Sequence, residues 1–184
     1  MPDKKYREAI YRWRVRFSLF VLLAVIALAR PALTPVLIGL VICAIGLLVR
    51  AWAAGHIKKE KELAVSGPYQ YTRNPLYLGN FILGLSIAIG TNSWWCLGLT
   101  AGYFLVFYPP IIREERERMK RLFPKEYEEY KRNVPLFLPT RKPLNSSNGA
   151  RFSWTLYRKN REFRALLGSV IVWLVLIAKM LILS

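Results

Sequence analysis

Residues 33–54 read LTPVLIGLVICAIGLLVRAWAA, an apolar run whose only charge is Arg50. A straight helix needs about 20 apolar residues to cross the hydrocarbon core of a bilayer, and this run supplies them. Outward from it, similar blocks recur at Val15–Ala29, Leu76–Ile89, Trp94–Ile112 and Ala165–Leu183. The last two are long enough to span. Val15–Ala29 is short, but Arg14 and Arg16 can snorkel at its head and let it cross. Leu76–Ile89 is also short, and the Gly90-Thr91-Asn92-Ser93 turn after it makes a helical hairpin with the next block. Its length leaves a full crossing and a partial dip both open. Arg30 and Pro31 follow the first block in place of a small-residue cleavage site, so that block is expected to stay as an anchor. The expected fold is all-α: a single domain over residues 1–184, forming a polytopic membrane bundle of about five transmembrane helices.

Charge orients this bundle. The chain carries 28 Lys and Arg against 11 Asp and Glu, a net +17, in 184 residues that are 54% hydrophobic. Segments 1–16, 50–75 and 113–164 hold all the basic residues except Arg30 and Lys179, and all the acidic ones. Basic loops mark the cytosolic side, which puts the N-terminus inside and the C-terminus on the opposite side, as in a bacterial inner membrane. The same placement argues against nucleic acid as the partner, since no recognition motif interleaves with the charge. Anionic membrane lipids suit it instead. Cys43 and Cys96 both lie inside apolar blocks and read as packing residues. With one histidine and no Cys-x-x-Cys, a metal site is not expected.

Small residues recur in the apolar blocks: Gly39 and Gly46, Gly79 and Gly84, then Gly98 and Gly102 at the Gly-x-x-x-Gly spacing that allows close helix approach. Pro109 and Pro110 lack backbone donors and should kink or end the fourth helix. Arg113–Tyr130 reads as a charged surface helix broken or restarted at Pro124, Pro139–Ala150 as a loop, and Arg151–Arg164 as a basic, aromatic interfacial helix.

Two patches on the basic side could carry chemistry. The first is GPYQYTRNPLYLG at residues 67–79, with Gly-Pro turn chemistry and an Asn-Pro helix start. Arg73 at a helix N-terminus makes a corner suited to a carboxylate. It could equally be a membrane-entry segment, with Arg73 on lipid phosphate and the tyrosines in an aromatic belt. The second is Arg113-Glu114-Glu115 after the double proline. Paired carboxylates at a membrane boundary need solvent or a cation, so a cationic ligand or a solvated helix face would explain them. Helix neighbours point about 100° apart, so at most one of the two should face a given ligand.

Read together, RAWAAGH at residues 50–56, GPYQYTRNPLYLGN at 67–80 and REERERMKRLFPKEYEEYKRNVPLFLP at 113–139 resemble the isoprenylcysteine carboxyl methyltransferase family, which belongs with the phospholipid methyltransferases. The resemblance covers roughly half the chain, from about Arg50 to Pro139. It implies an integral membrane methyltransferase that encloses S-adenosylmethionine in a cytosolic-face pocket and admits a lipophilic methyl acceptor, such as a prenylcysteine carboxylate, from the bilayer. Carried over by position, Tyr71, Arg73, Asn74, Pro75, Tyr77, Glu114 and Glu115 would line the cofactor pocket, with Arg73 and Glu115 as the catalytic pair. Many relatives have His where this chain has Asn74, and an amide there can still hydrogen-bond the cofactor. His56 reads as an interfacial hydrogen-bonding residue, with proton transfer to consider only for an amine acceptor. The alternatives are a phospholipid amine N-methyltransferase, an NADPH-dependent sterol-reductase-like enzyme, for which the chain is short, and a non-catalytic scaffold binding anionic lipids.

Overall fold

The computed structural model describes residues 4–58, 61–144 and 151–183, and the regular structure among them is all helical. Helix α1 runs Lys4–Leu28, α2 Leu33–Ala54, α3 Pro75–Gly90, α4 Trp94–Leu122, α5 Pro124–Asn133, α6 Trp154–Lys159 and α7 Phe163–Leu183. Helices α2, α4 and α7 are long and apolar enough to cross a membrane, and α3 and the Arg16–Leu28 part of α1 are shorter apolar helices. Large apolar side chains such as Val41 and Leu48 on α2, Leu105 and Val106 on α4, and Ile171 and Ile182 on α7 stand exposed. Such a surface suits acyl chains. The chain is an all-α membrane helix bundle.

Acyl chains are as apolar as leucine, so helices in a bilayer associate through close packing and hydrogen bonds. The packing here turns on glycine. A Cβ at Gly39 of α2 or Gly90 of α3 would strike the indole of Trp173 on α7. The two glycines thus let α2, α3 and α7 close on one buried ring, around which Val36, Cys43, Val172 and Leu176 complete the core. Cys96 is also buried, its thiol donating to the Val25 carbonyl at 3.4 Å. Both cysteines are free, as packing residues should be. At one end of the bundle, Lys179 Nζ donates to the carbonyls of Ile26 and Ala27, both at 2.8 Å, and caps α1. Arg30 lines the same crevice as Lys179, so the two basic residues outside the three basic segments share one end.

Three local expectations change. Gly98 and Gly102 have open space where a Cβ would sit, so among the described residues nothing packs closely on the Gly-x-x-x-Gly face of α4. Helix α4 does not end at Pro109 and Pro110 but continues to Leu122, making Arg113–Leu122 its extension. The break comes at Phe123, where Pro124 starts α5. The stretch 151–164 is not one helix. Ser153 caps α6 by accepting from the Leu156 amide at 3.3 Å, and the chain then turns through Arg161 at φ +55° before α7. Arg16 stacks over Trp13 at 6.0 Å, whereas the side chain of Arg14 and residues 145–150 of the expected loop lie outside the described residues.

Candidate active site

The stretch after α2 folds back as a loop. Gly67 adopts φ +58°, a left-handed conformation that glycine takes without strain, and the His56 ring lies where a Cβ would project. A single 3-10 turn, Gly67–Gln70, leads to Asn74, and Pro75 opens α3 with a preset φ and no unpaired donor. The segment after α5 holds this loop in place. Arg73 N donates to Pro135 O at 3.0 Å, Thr140 N to Tyr71 O at 2.9 Å and Leu144 N to Gln70 O at 3.1 Å. Side chains tighten the clasp: Thr72 Oγ1 donates to Phe137 O and Asn74 Nδ2 to Leu136 O, both at 2.8 Å. The Val-Pro-Leu-Phe-Leu-Pro stretch therefore works as a strap that sets the direction of Arg73.

Arg73 faces a cavity of about 330 Å³, within the range of roughly 300–1,000 Å³ usual for small-molecule sites. Arg73, Asn74, Pro75, Tyr77 and Glu115 all line it. Of the sequence-derived candidates, Tyr71 and Glu114 are not among the lining residues. Tyr71 packs 6.1 Å from Trp52. Glu115 faces the cavity and its neighbour Glu114 does not, as the helical angle between neighbours requires. Tyr77 Oη donates to Glu115 Oε2 at 2.6 Å, which joins α3 to the extension of α4 across the site. Arg73 Nη1 donates to Tyr127 Oη at 3.1 Å and its guanidinium lies 5.9 Å from that ring centre.

Tyr69, Tyr127, Tyr130 and Met119 add an aromatic and thioether wall that the motif reading did not assign to the site. Tyr127 and Tyr130 are buried with Val134 in a small core under α5, and Tyr130 Oη donates to Tyr69 O at 2.6 Å. Burial holds the phenols of Tyr69 and Tyr130 well above the ordinary tyrosine range, and at Tyr69 the neighbouring Tyr130 and Glu115 push the same way. Both therefore stay protonated donors. On this wall Tyr69 Oη and Arg73 Nε are buried without a hydrogen-bond partner among the described residues. Two orphaned donors beside a carboxylate and several ring faces fit a ligand that brings its own anionic oxygens and a cationic centre.

Arg50 closes the back of the cavity. Its Nε and Nη2 meet Glu162 Oε1 and Oε2 at 2.6 and 2.9 Å, a bidentate pair with side chains only 15% and 7% exposed, and Nη1 donates to Asn80 Oδ1. A Cβ at Gly79 would strike the Arg50 stem, so this glycine lets the side chain cross α3. His56 stands apart. It is buried, its Nδ1 is 2.9 Å from Trp52 O, and its ring meets Phe152 edge-on at 6.2 Å.

The chain is similar in sequence to known proteins. A family model described as phospholipid methyltransferase matches residues 34–126. The chain is similar to the nickel-cobalt-cadmium resistance protein NccN of Alcaligenes xylosoxydans xylosoxydans, 33% identical over 144 residues that cover 72% of this chain and 65% of that protein. It is also similar to the cobalt-zinc-cadmium resistance protein CzcN of Cupriavidus metallidurans, 35% identical over 109 residues, 58% of this chain and 49% of that protein. The chain thus spans less than two thirds of the length of either relative. No solved structure matches it.

Proposed function

The chain belongs to the phospholipid methyltransferase family, and from that premise we propose that it transfers a methyl group from S-adenosylmethionine to a lipophilic acceptor drawn from the membrane. The observation that carries this reading is the pair of orphaned buried donors, Tyr69 Oη and Arg73 Nε, on the wall that also presents Glu115. In the proposed complex Arg73 pairs with the carboxylate of the donor's amino-acid part, assisted by the Tyr69 hydroxyl. Glu115, oriented by Tyr77, takes the ammonium, and tyrosine faces lie against the sulfonium or the adenine. The cofactor supplies the activated methyl group. The chain's own contribution is to hold the two reactants in line and to exclude water, since methyl transfer is a direct displacement.

The acceptor class follows from what can take a proton. His56, the single histidine, does not line the cavity. A carboxylate such as that of a prenylcysteine needs no base and suits this site. A phospholipid amine, the second reading, must first lose a proton, and Glu115 and Glu62 are the carboxylates on the wall that could accept it. The names of the relatives attach them to resistance against nickel, cobalt, zinc and cadmium. Among the described residues no three His, Cys, Asp or Glu side chains converge into a metal site. A contribution of this chain to such resistance is therefore proposed to run through a methylated membrane component. We place the basic end of the bundle, and with it the site, in the cytosol.

The experiment is transfer of a radiolabelled methyl group from S-adenosylmethionine to prenylcysteine analogues and to phospholipid extracts. Label in a lipid-soluble product supports the proposal, and its chemical class names the acceptor. Absence of label from every lipid fraction, with cofactor bound, would reject the lipophilic acceptor.

A further inference from the structure

We infer that a second, separate pocket at the basic end binds the phosphate of an anionic lipid headgroup. Lys58 and Lys61, just past α2, and Lys159 and Arg161, just before α7, converge on a cavity of about 370 Å³, and no acidic residue lines it among the described residues. Among the described residues Glu62 meets Lys58 at 3.1 Å with both side chains about half exposed. Such a solvated pair contributes little, so the four cations that line the pocket keep their pull on an anion.

The backbone around the pocket is built, not merely charged. Arg161 is held at φ +55°, where a residue with a Cβ pays in strain. Asn160 fixes that turn by donating from Nδ2 to the carbonyls of Ala54, the last residue of α2, at 2.9 Å and of Ile57, just past it, at 3.1 Å. Glu162 fixes its other side through Arg50. The strained turn thus presents Arg161 to the pocket against its own conformational preference.

Depth selects the ligand. Helix α7 begins at Phe163, which is 43% exposed, and Trp154 on α6 is 69% exposed, so apolar rings flank the cations at the lipid boundary. Arg161 lies in the turn two residues before the start of this span. Clusters of Lys and Arg beside a span attract anionic lipids. Ile57 lines both this pocket and the larger cavity, so a headgroup here would rest one side chain away from the proposed methyl-transfer site.

The test is native mass spectrometry of the full chain in detergent, titrated with phosphatidylglycerol, phosphatidylcholine and inorganic phosphate. The wild type is expected to retain one phosphatidylglycerol in preference to phosphatidylcholine. The double variant Lys58→Gln/Arg161→Gly should weaken that adduct about fivefold for each charge removed. Glycine accepts the φ of residue 161, so folding is spared. The charge-matched control Lys125→Gln/Arg132→Gln, on exposed positions of α5, should leave the adduct unchanged. Binding of inorganic phosphate with the same variant dependence, and no lipid preference, would keep the phosphate chemistry but assign it to a soluble ester. Equal losses in both double variants, or none in the first, would overturn the inference and leave only diffuse attraction.

Discussion

Tyr77 and Glu115 meet at 2.6 Å, the phenol of one helix donating to the carboxylate of another across the mouth of the cavity. The contact aims the carboxylate, which on an exposed helix face would sweep through several rotamers. Tyr77→Phe removes the donor and leaves the ring, whose edge-on contact with Tyr108 at 5.7 Å persists. A hydrogen bond to a charged group contributes about 1.5–3 kcal/mol, so the thermal midpoint should fall by a few degrees, and S-adenosylhomocysteine should bind roughly tenfold more weakly in calorimetry once the carboxylate is no longer aimed. Unaltered affinity would show that Glu115 needs no such orientation.

Tyr69 should give opposite signs in two measurements. Its hydroxyl is buried with no partner among the described residues, and replacing an unsatisfied polar group with an apolar one of the same shape is neutral or stabilising. Tyr69→Phe is expected to raise unfolding stability by about 1 kcal/mol and yet weaken ligand binding. A loss of both would place its partner inside the protein.

The Arg50–Glu162 pair should be required for the cavity wall. Breaking a buried pair from one side leaves a charge uncompensated, at a cost of about 3 kcal/mol. Glu162→Ala should lower the thermal midpoint markedly, whereas the double variant Arg50→Met/Glu162→Leu should recover most of it, since two apolar residues can replace a buried pair. A double variant no more stable than the single one would contradict this.

Alkaline pH offers an independent check on the tyrosine wall. The folded pKa values of Tyr69 and Tyr130 are raised by burial above the unfolded value of about 10. Stability is then insensitive to these two groups below pH about 10 and falls as pH rises past it, because the unfolded chain releases the protons first. The thermal midpoint should hold through mildly alkaline buffer and fall beyond it, less steeply in Tyr130→Phe. The same slope in that variant would remove Tyr130 from the explanation.

Much of the architecture was legible in the sequence because span length and charge asymmetry are one-dimensional signals. The blocks at 33–54 and 165–183 needed only counting. The strap at 134–139 and the loop at 67–74 were visible as motifs, but their mutual hydrogen bonds join residues about 62 positions apart, and no periodicity encodes that. Arg50 carried a readable hint, since a lone charge inside an apolar span needs a partner. That the partner is Glu162, 112 positions away, was not readable. Tyr127 and Tyr130 fall in and just at the end of a stretch that reads as a charged surface helix, and only the fold turns them toward Arg73. The spacing of Gly98 and Gly102 describes a smooth face without saying whether protein or lipid covers it.

The most direct test is calorimetric titration of S-adenosylhomocysteine and of NADPH into the detergent-purified protein, with Arg73→Ala alongside. We expect the first ligand to bind, the second not to, and the variant to lose about 3 kcal/mol of affinity. NADPH binding without S-adenosylhomocysteine binding, or an Arg73→Ala variant that binds as tightly as the wild type, would contradict the account.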